Sequence, residues 1–258
     1  MLKHSWDITP IEAIALQKKL ALRVRAVPIA RKVHTIAGVD CAFVGRAEKK
    51  GDRHLFQKAK KESVPFSQKE SVPFFPPSLV IAAAVLCDAR TLEIIVHSDV
   101  TMPCEFPYIP GLLSFREAPA VIEAIRKLSV RPDLVMIDGQ GLAHPRGLGI
   151  ASHVGLWLGM PTIGVAKSRL CGEHRPVWPR RGSHTRLMLN GVVVGSVVRT
   201  RDNVNPLYVS VGHRVTLAEA VRWTVRCATK ARLPEPTRLA HQLVTRLKKN
   251  SGRLTIEN

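Results

Sequence analysis

The order of the apolar runs constrains this chain most, because adjacent strand-like segments give way to an alternation of helix and strand. His34 to Val44 is apolar and loosely alternating, and reads as a strand carrying Asp40. Leu79 to Cys87 and Thr91 to Val96 are two further strand-like runs, joined by a turn at Asp88 to Arg90. These three predict an antiparallel meander. A proline-rich bend, Cys104 to Gly111, leads to a predicted helix near Glu117 to Leu128, the apolar strand Asp133 to Asp138, and a glycine-rich loop from Gly139 to Gly149. A helix over Ser152 to Leu158, a strand from Pro161 to Lys167, an Asn190-Gly191 hairpin and a strand over Leu207 to Val211 follow. Two capping boxes, Thr9 with Glu12 and Thr216 with Glu219, open helices reaching about Arg25 and Cys227. The pattern predicts one α/β domain, with a mixed central sheet of antiparallel meander plus parallel strands, flanked by helices.

Two stretches stand outside that pattern. Residues 46–78 break into lysines, prolines and polar residues, with Lys61 to Phe66 (KESVPF) echoed at Lys69 to Phe74. The echo is too short for a repeat fold, and the composition suits a flexible insertion between two strands. Residues from about 237 to 258 read as a basic tail. Across the whole chain 39 Lys and Arg oppose 20 Asp and Glu, a formal net charge of +19, which predicts attraction to polyanions. Charge alone does not separate DNA, RNA and an anionic membrane. Yet the longest apolar run, Leu79 to Cys87, is far short of the roughly 20 residues a membrane-spanning helix needs. With no apolar segment at its N-terminus either, the chain reads as soluble and cytoplasmic, without a membrane partner. Five scattered cysteines with no Cys-x-x-Cys pair read as reduced thiols.

Asp138 closes an apolar strand and is followed at once by Gly139, the position from which α/β sheets present side chains to a ligand crevice. Asp40 lies inside another apolar strand, where an ionised carboxylate needs a partner. Read alone, Asp138 can be a turn residue and Asp40 can face solvent from an edge. Read together, they suggest a shared hard cation such as Mg2+, which takes oxygen ligands, with Glu117 as the third carboxylate. Glu117 also fits a capping box with Ser114, but Pro119 would then fall inside the helix, which favours a later helix start. Lys167, at the end of its strand, is either a solvated strand end or a point charge for a scissile phosphate. His144 and His213 follow glycine-rich or small-residue stretches that let backbone approach a ligand. Tyr108 sits among Pro107, Ile109 and Pro110, either as an aromatic anchor under the bend or as a ring held on a stiff tip.

The segments IAGVD with Asp40, FPYIPGLLSFRE with Tyr108 and Glu117, DGQGLAHPRGLGIASHVG with Asp138 and His144, PTIGVAKSRLCG with Lys167, and VSVGHRVTL with His213 together resemble the endonuclease V family, from about Thr9 to about Pro236. The resemblance implies a ribonuclease H-like fold and a Mg2+-dependent DNA repair endonuclease, with Mn2+ as substitute. It implies hydrolysis of the second phosphodiester bond 3′ to deoxyinosine, leaving 3′-hydroxyl and 5′-phosphate ends. Asp40, Glu117 and Asp138 would hold the metal, with His213 near it, and Lys167 would contact the phosphate. Tyr108 would be a wedge for the everted base, Gly111, Leu113, Gly149 and Ile150 would wall the base pocket, and His144 would support the recognition loop. The implied partner is inosine-containing DNA, or single-stranded RNA or DNA, bound by a monomer. Many relatives carry His where Gln140 stands, and bacterial members join the strands around residues 46–78 more briefly. The alternatives are a related nuclease acting on inosine in RNA or on other damaged or branched DNA, and a basic nucleic-acid-binding module without catalysis.

Overall fold

β1 (Thr35–Val44) is central to the sheet because both of its edges find partners. The computed structural model describes residues 4–44 and 78–254; the predicted insertion lies outside them except for residue 78. On one side β1 pairs antiparallel with β2 (Ser78–Asp88), which pairs antiparallel with β3 (Ile94–Cys104), so the predicted meander is present. On the other side it pairs in parallel with β4 (Leu134–Ile137), which pairs in parallel with β5 (Thr162–Ala166). β6 (His184–Leu189), β7 (Val192–Val198) and β8 (Leu207–His213) extend the sheet in antiparallel fashion. The strand order is β3-β2-β1-β4-β5-β8-β7-β6. At the β6–β7 turn Asn190 and Gly191 both take positive φ, 50° and 79°, as the Asn-Gly pair predicts.

Residue parity sorts side chains onto the two faces. Ala37 and Val39 of β1, with Val135 and Ile137 of β4, pack against helices α2 (Leu113–Arg126) and α3 (Ile150–Leu158). Ile36, Leu134 and Met136 face the opposite layer, where helix α4 (Leu217–Cys227) contributes Ala220, Trp223 and Cys227. Helix α5 (Glu235–Leu254) covers the same side further along, through Ala240, Leu243 and Val244 against Ala83, Val85 and Cys87. Helix α1 (Pro10–Ala21) seats Leu20 on Leu148 and Leu156. The capping boxes at Thr9 and Thr216 are both formed. No helix among the described residues is long and apolar enough to cross a membrane.

Three elements differ from the sequence reading. The stretch read as a basic tail is helix α5, whose Leu239, Ala240, Leu243, Val244 and Leu247 recur at helical spacing on the buried side. α2 begins four residues before Glu117 and carries Pro119 in its interior. Ser114 is not its N-cap either; that hydroxyl lies 3.2 Å from His153 Nδ1. β3 runs to Cys104, because an edge strand tolerates polar residues and Pro103.

Candidate active site

Even-numbered residues of β1 face the layer that holds α5, and so does the position following β4. Asp40 and Asp138 therefore point to the same side, side by side, with Asp138 N–H donating to Val39 O at 3.1 Å. His241, on the first half of α5, meets them there. Its Nδ1 lies 2.7 Å from Asp40 Oδ2, and ligand atoms of Asp40, Asp138 and His241 all fall within 4.8 Å of one another. Cys41 points to the opposite face and is hydrogen-bonded to the Glu117 carboxyl, so α2 brings a third carboxylate to the same strand position from the other side. Lys167 follows β5 and its Nζ contacts Asp138 Oδ2.

The electrostatics are those of crowded carboxylates short of positive charge. Burial first, and the Asp40 charge second, push the Glu117 carboxyl up to about 8, against a usual value of 4.5. Burial also raises Asp138, and Lys167 offsets part of that. Such a donor set of carboxylate oxygens and one imidazole fits a divalent cation, whose charge would relieve both the burial and the mutual repulsion. Glu117 gives a test without the cation. Because its folded value lies above the unfolded one, it stabilises the fold below about pH 4.5 and that contribution is lost as pH rises through about 8. In chelator, Glu117→Gln is expected to melt ~2 °C or more above the parent at pH 8.5, the gap closing near pH 4, by thermal unfolding monitored across pH.

A pocket of about 440 Å³ opens from these carboxylates, and Glu117, Asp138 and Lys167 form one wall of it. The predicted Tyr108, Gly111, Leu113, His144, Gly149 and Ile150 all line it. Gly149 cannot be larger, since a Cβ there would stand 2.2 Å from Gln140 O. Arg146 fixes the far wall by donating to Gly111 O at 2.6 Å and by a contact to Gln17. Burial, with Arg146 nearby, lowers His144 to about 4, so its ring is neutral and accepts from Arg146 N–H at 3.1 Å. Gln140 donates to Ser168 O at 3.0 Å and ties the glycine-rich loop to the segment after β5.

His213 does not belong with the carboxylates. β8 runs antiparallel to β5, so His213 pairs with Thr162 at the opposite end of the sheet from Lys167. There it accepts from Arg25 N–H at 3.2 Å, near a separate cavity of about 670 Å³ lined by Arg25, Arg131 and Arg214. The histidine the sequence reading missed is His241. Its signal was the helical spacing of Leu239, Ala240, Leu243 and Val244 around it, which a reading of the segment as a charged tail discards. His241→Ala is expected to lower metal-dependent nicking by roughly 10-fold or more. His213→Ala is expected to lower the denaturation midpoint with little change in the rate per folded molecule. Equal kinetic losses in the two variants would reverse this assignment.

The endonuclease V family model matches residues 74–242. An endonuclease V from Azotobacter vinelandii is 46% identical over 241 residues, 93% of this chain and 96% of its own length. The crystal structure of endonuclease V from Streptomyces avermitilis, 35% identical, superposes with a TM-score of 0.80 over 97% of this chain and 98% of that one. A Ciona intestinalis endonuclease V, solved in complex with a 24mer DNA containing an inosine followed by a ribo-adenosine, shares the fold at 21% identity, with a TM-score of 0.69 over 93% of this chain and 98% of its own. By the profile match and by its identity to full-length relatives, the chain belongs to the endonuclease V family of DNA repair endonucleases.

Proposed function

We propose that this enzyme recognises deoxyinosine in DNA and hydrolyses the second phosphodiester bond 3′ to it, giving 3′-hydroxyl and 5′-phosphate ends. The observation that carries the reading is that one cavity joins the predicted base pocket to the carboxylates, with Tyr108 and His144 in the same lining as Glu117, Asp138 and Lys167. The inosine-containing DNA in the Ciona complex supports it. Eversion of a base costs a few kcal/mol, and least where pairing is already weakened, which favours a deaminated purine.

Asp40, Asp138 and His241 would hold Mg2+, with Glu117 completing the carboxylate set. Bound there, the ion supplies a Lewis acid for phosphate oxygens and lowers the pKa of a water nucleophile. Lys167, paired with Asp138 and with a side chain 40% exposed, is free on one side to neutralise the scissile phosphate as charge develops. Tyr108 sits at the mouth of the pocket, its ring centroid 6.0 Å from the Arg116 guanidinium carbon, as a wedge to replace the everted base in the stack. Gly111, Leu113, Gly149 and Ile150 form the walls that exclude water from that base.

The test is a nicking assay with strands containing inosine, uracil or neither, as DNA and as RNA, in Mg2+ and in chelator. Nicks at the second bond 3′ to inosine in DNA, dependent on the metal, are expected. Preferred cleavage of inosine RNA would assign the site to RNA instead, and polyanion binding with no nicking would leave a basic binding module.

A further inference from the structure

Indole is the largest apolar side chain and is seldom left in water. Trp178 is 78% exposed, whereas Trp157 and Trp223 are 9% and 8% exposed. The backbone that carries it is firmly held. The Arg199 guanidinium donates to the carbonyls of Val177 and Trp178 at 2.9 and 3.1 Å, and Asn203 N–H donates to Pro179 O at 2.9 Å. On the return of the same loop Gly182 N–H donates to Arg199 O at 2.8 Å, and Arg181 N–H to Asp202 Oδ1 at 2.6 Å. Val177 packs inward on Leu187 and Val197. The fold thus packs one residue on the interior and holds the next one's ring in solvent.

The surroundings and the position narrow what that ring can meet. Between Lys167 and Asp202 the sequence holds eight Lys and Arg against two Asp and Glu. Arg175, Arg180 and Arg186 are exposed. An exposed ring on a segment with that excess of positive charge suits a polyanion that also offers flat bases. The register also fixes which end of the sheet it occupies. Val198, before Arg199, pairs with Leu207, and Tyr208 pairs with Ala166, so Trp178 lies at the same end as Lys167 and Asp138. From β4 to β7 is three strand spacings of ~4.8 Å, roughly 15 Å. That puts the ring a few nucleotides along a strand from the carboxylates.

We propose that Trp178 is a stacking platform for an unpaired base of the nucleic-acid strand running on from the cleavage site, with the arginines around it tracking the phosphates. An aromatic ring in a basic groove reads single strands without regard to sequence, since each base offers a π face. The proposal rests on the reading of the chain as a nuclease acting on inosine DNA, and extends its contact with substrate beyond the lesion pocket.

The experiment titrates the full-length protein with oligothymidylate that carries no lesion, following intrinsic fluorescence and the anisotropy of a labelled strand. Oligothymidylate is expected to quench the parent's emission. Trp178→Ala should bind it at least roughly 5-fold more weakly and lose the quench, while Trp178→Phe keeps most of the affinity and both melt with the parent. Unchanged affinity in Trp178→Ala overturns the platform, as does a parent dimer that dissociates on the same substitution while oligothymidylate affinity stays constant. Nicking of a short inosine duplex by the parent is scored separately. A parent that nicks while Trp178→Ala binds oligothymidylate normally refutes the platform alone. A parent quenched through Trp178 that never nicks supports the platform and refutes the nuclease reading.

Discussion

Asp138→Asn is expected to slow metal-dependent nicking of inosine DNA by roughly 10³-fold or more, the scale on which removal of a group aligned with transition-state charge is felt. The substitution keeps shape and removes the charge that draws both Lys167 and a cation to this point. Stability should hold. Burial already raises the Asp138 carboxyl, so its ionised form is not favoured by the fold, and its partner Lys167 is 40% exposed, where an ion pair contributes little. Single-turnover rates together with Mg2+ binding by calorimetry separate the two effects. A variant that nicks at the parent rate with normal metal binding would remove Asp138 from the centre. Asp40→Asn should behave alike, with the added loss of its contact to His241.

Gly38→Ala is expected to be the most damaging added methyl among the described glycines. A Cβ at Gly38 would stand 1.9 Å from the Pro236 carbonyl carbon and 2.1 Å from its oxygen, and neither atom is at the end of a flexible side chain. β1 is held between β2 and β4, so α5 must yield. The expected cost is about 3 kcal/mol, at the upper end for overpacking in a close-packed interior. Nicking should fall further than stability alone explains, because displacing α5 carries His241 away from Asp40. Urea unfolding and the rate per folded molecule, measured side by side, test both parts; an unchanged midpoint would mean that α5 is not docked on β1 as described.

Local chemistry was legible in the sequence wherever a few neighbouring residues decide the outcome. The two capping boxes, the Asn190-Gly191 hairpin and the carboxylates on apolar strands are of this kind. The lining of the proposed base pocket came from the family resemblance rather than from any period or spacing. What failed depended on partners distant in the chain. Pro119 argued against a helix through Ser114 and Glu117, yet α2 buries Phe115, Ala118, Val121, Ile122 and Ile125 in the core. That packing outweighs a local penalty of ~3 kcal/mol. His213 was chosen over His241 because its setting of small residues resembled a ligand loop, and nothing local reveals that β8 runs the other way. α5 was read as a tail because its charges dominate its composition, while its buried stripe finds its partners in β1 and β2, far back in the chain.

The contact between His241 and Asp40 joins residues 201 positions apart. During synthesis the strand bearing Asp40 leaves the ribosome well before the helix bearing His241. The strands that carry Asp40 and Asp138 are therefore made before the helix that completes the candidate metal-binding cluster. For a DNA repair endonuclease this ordering is a form of licensing: a chain that has not yet reached α5 lacks the histidine that closes the Asp40 cluster, and the candidate metal centre arrives with that helix.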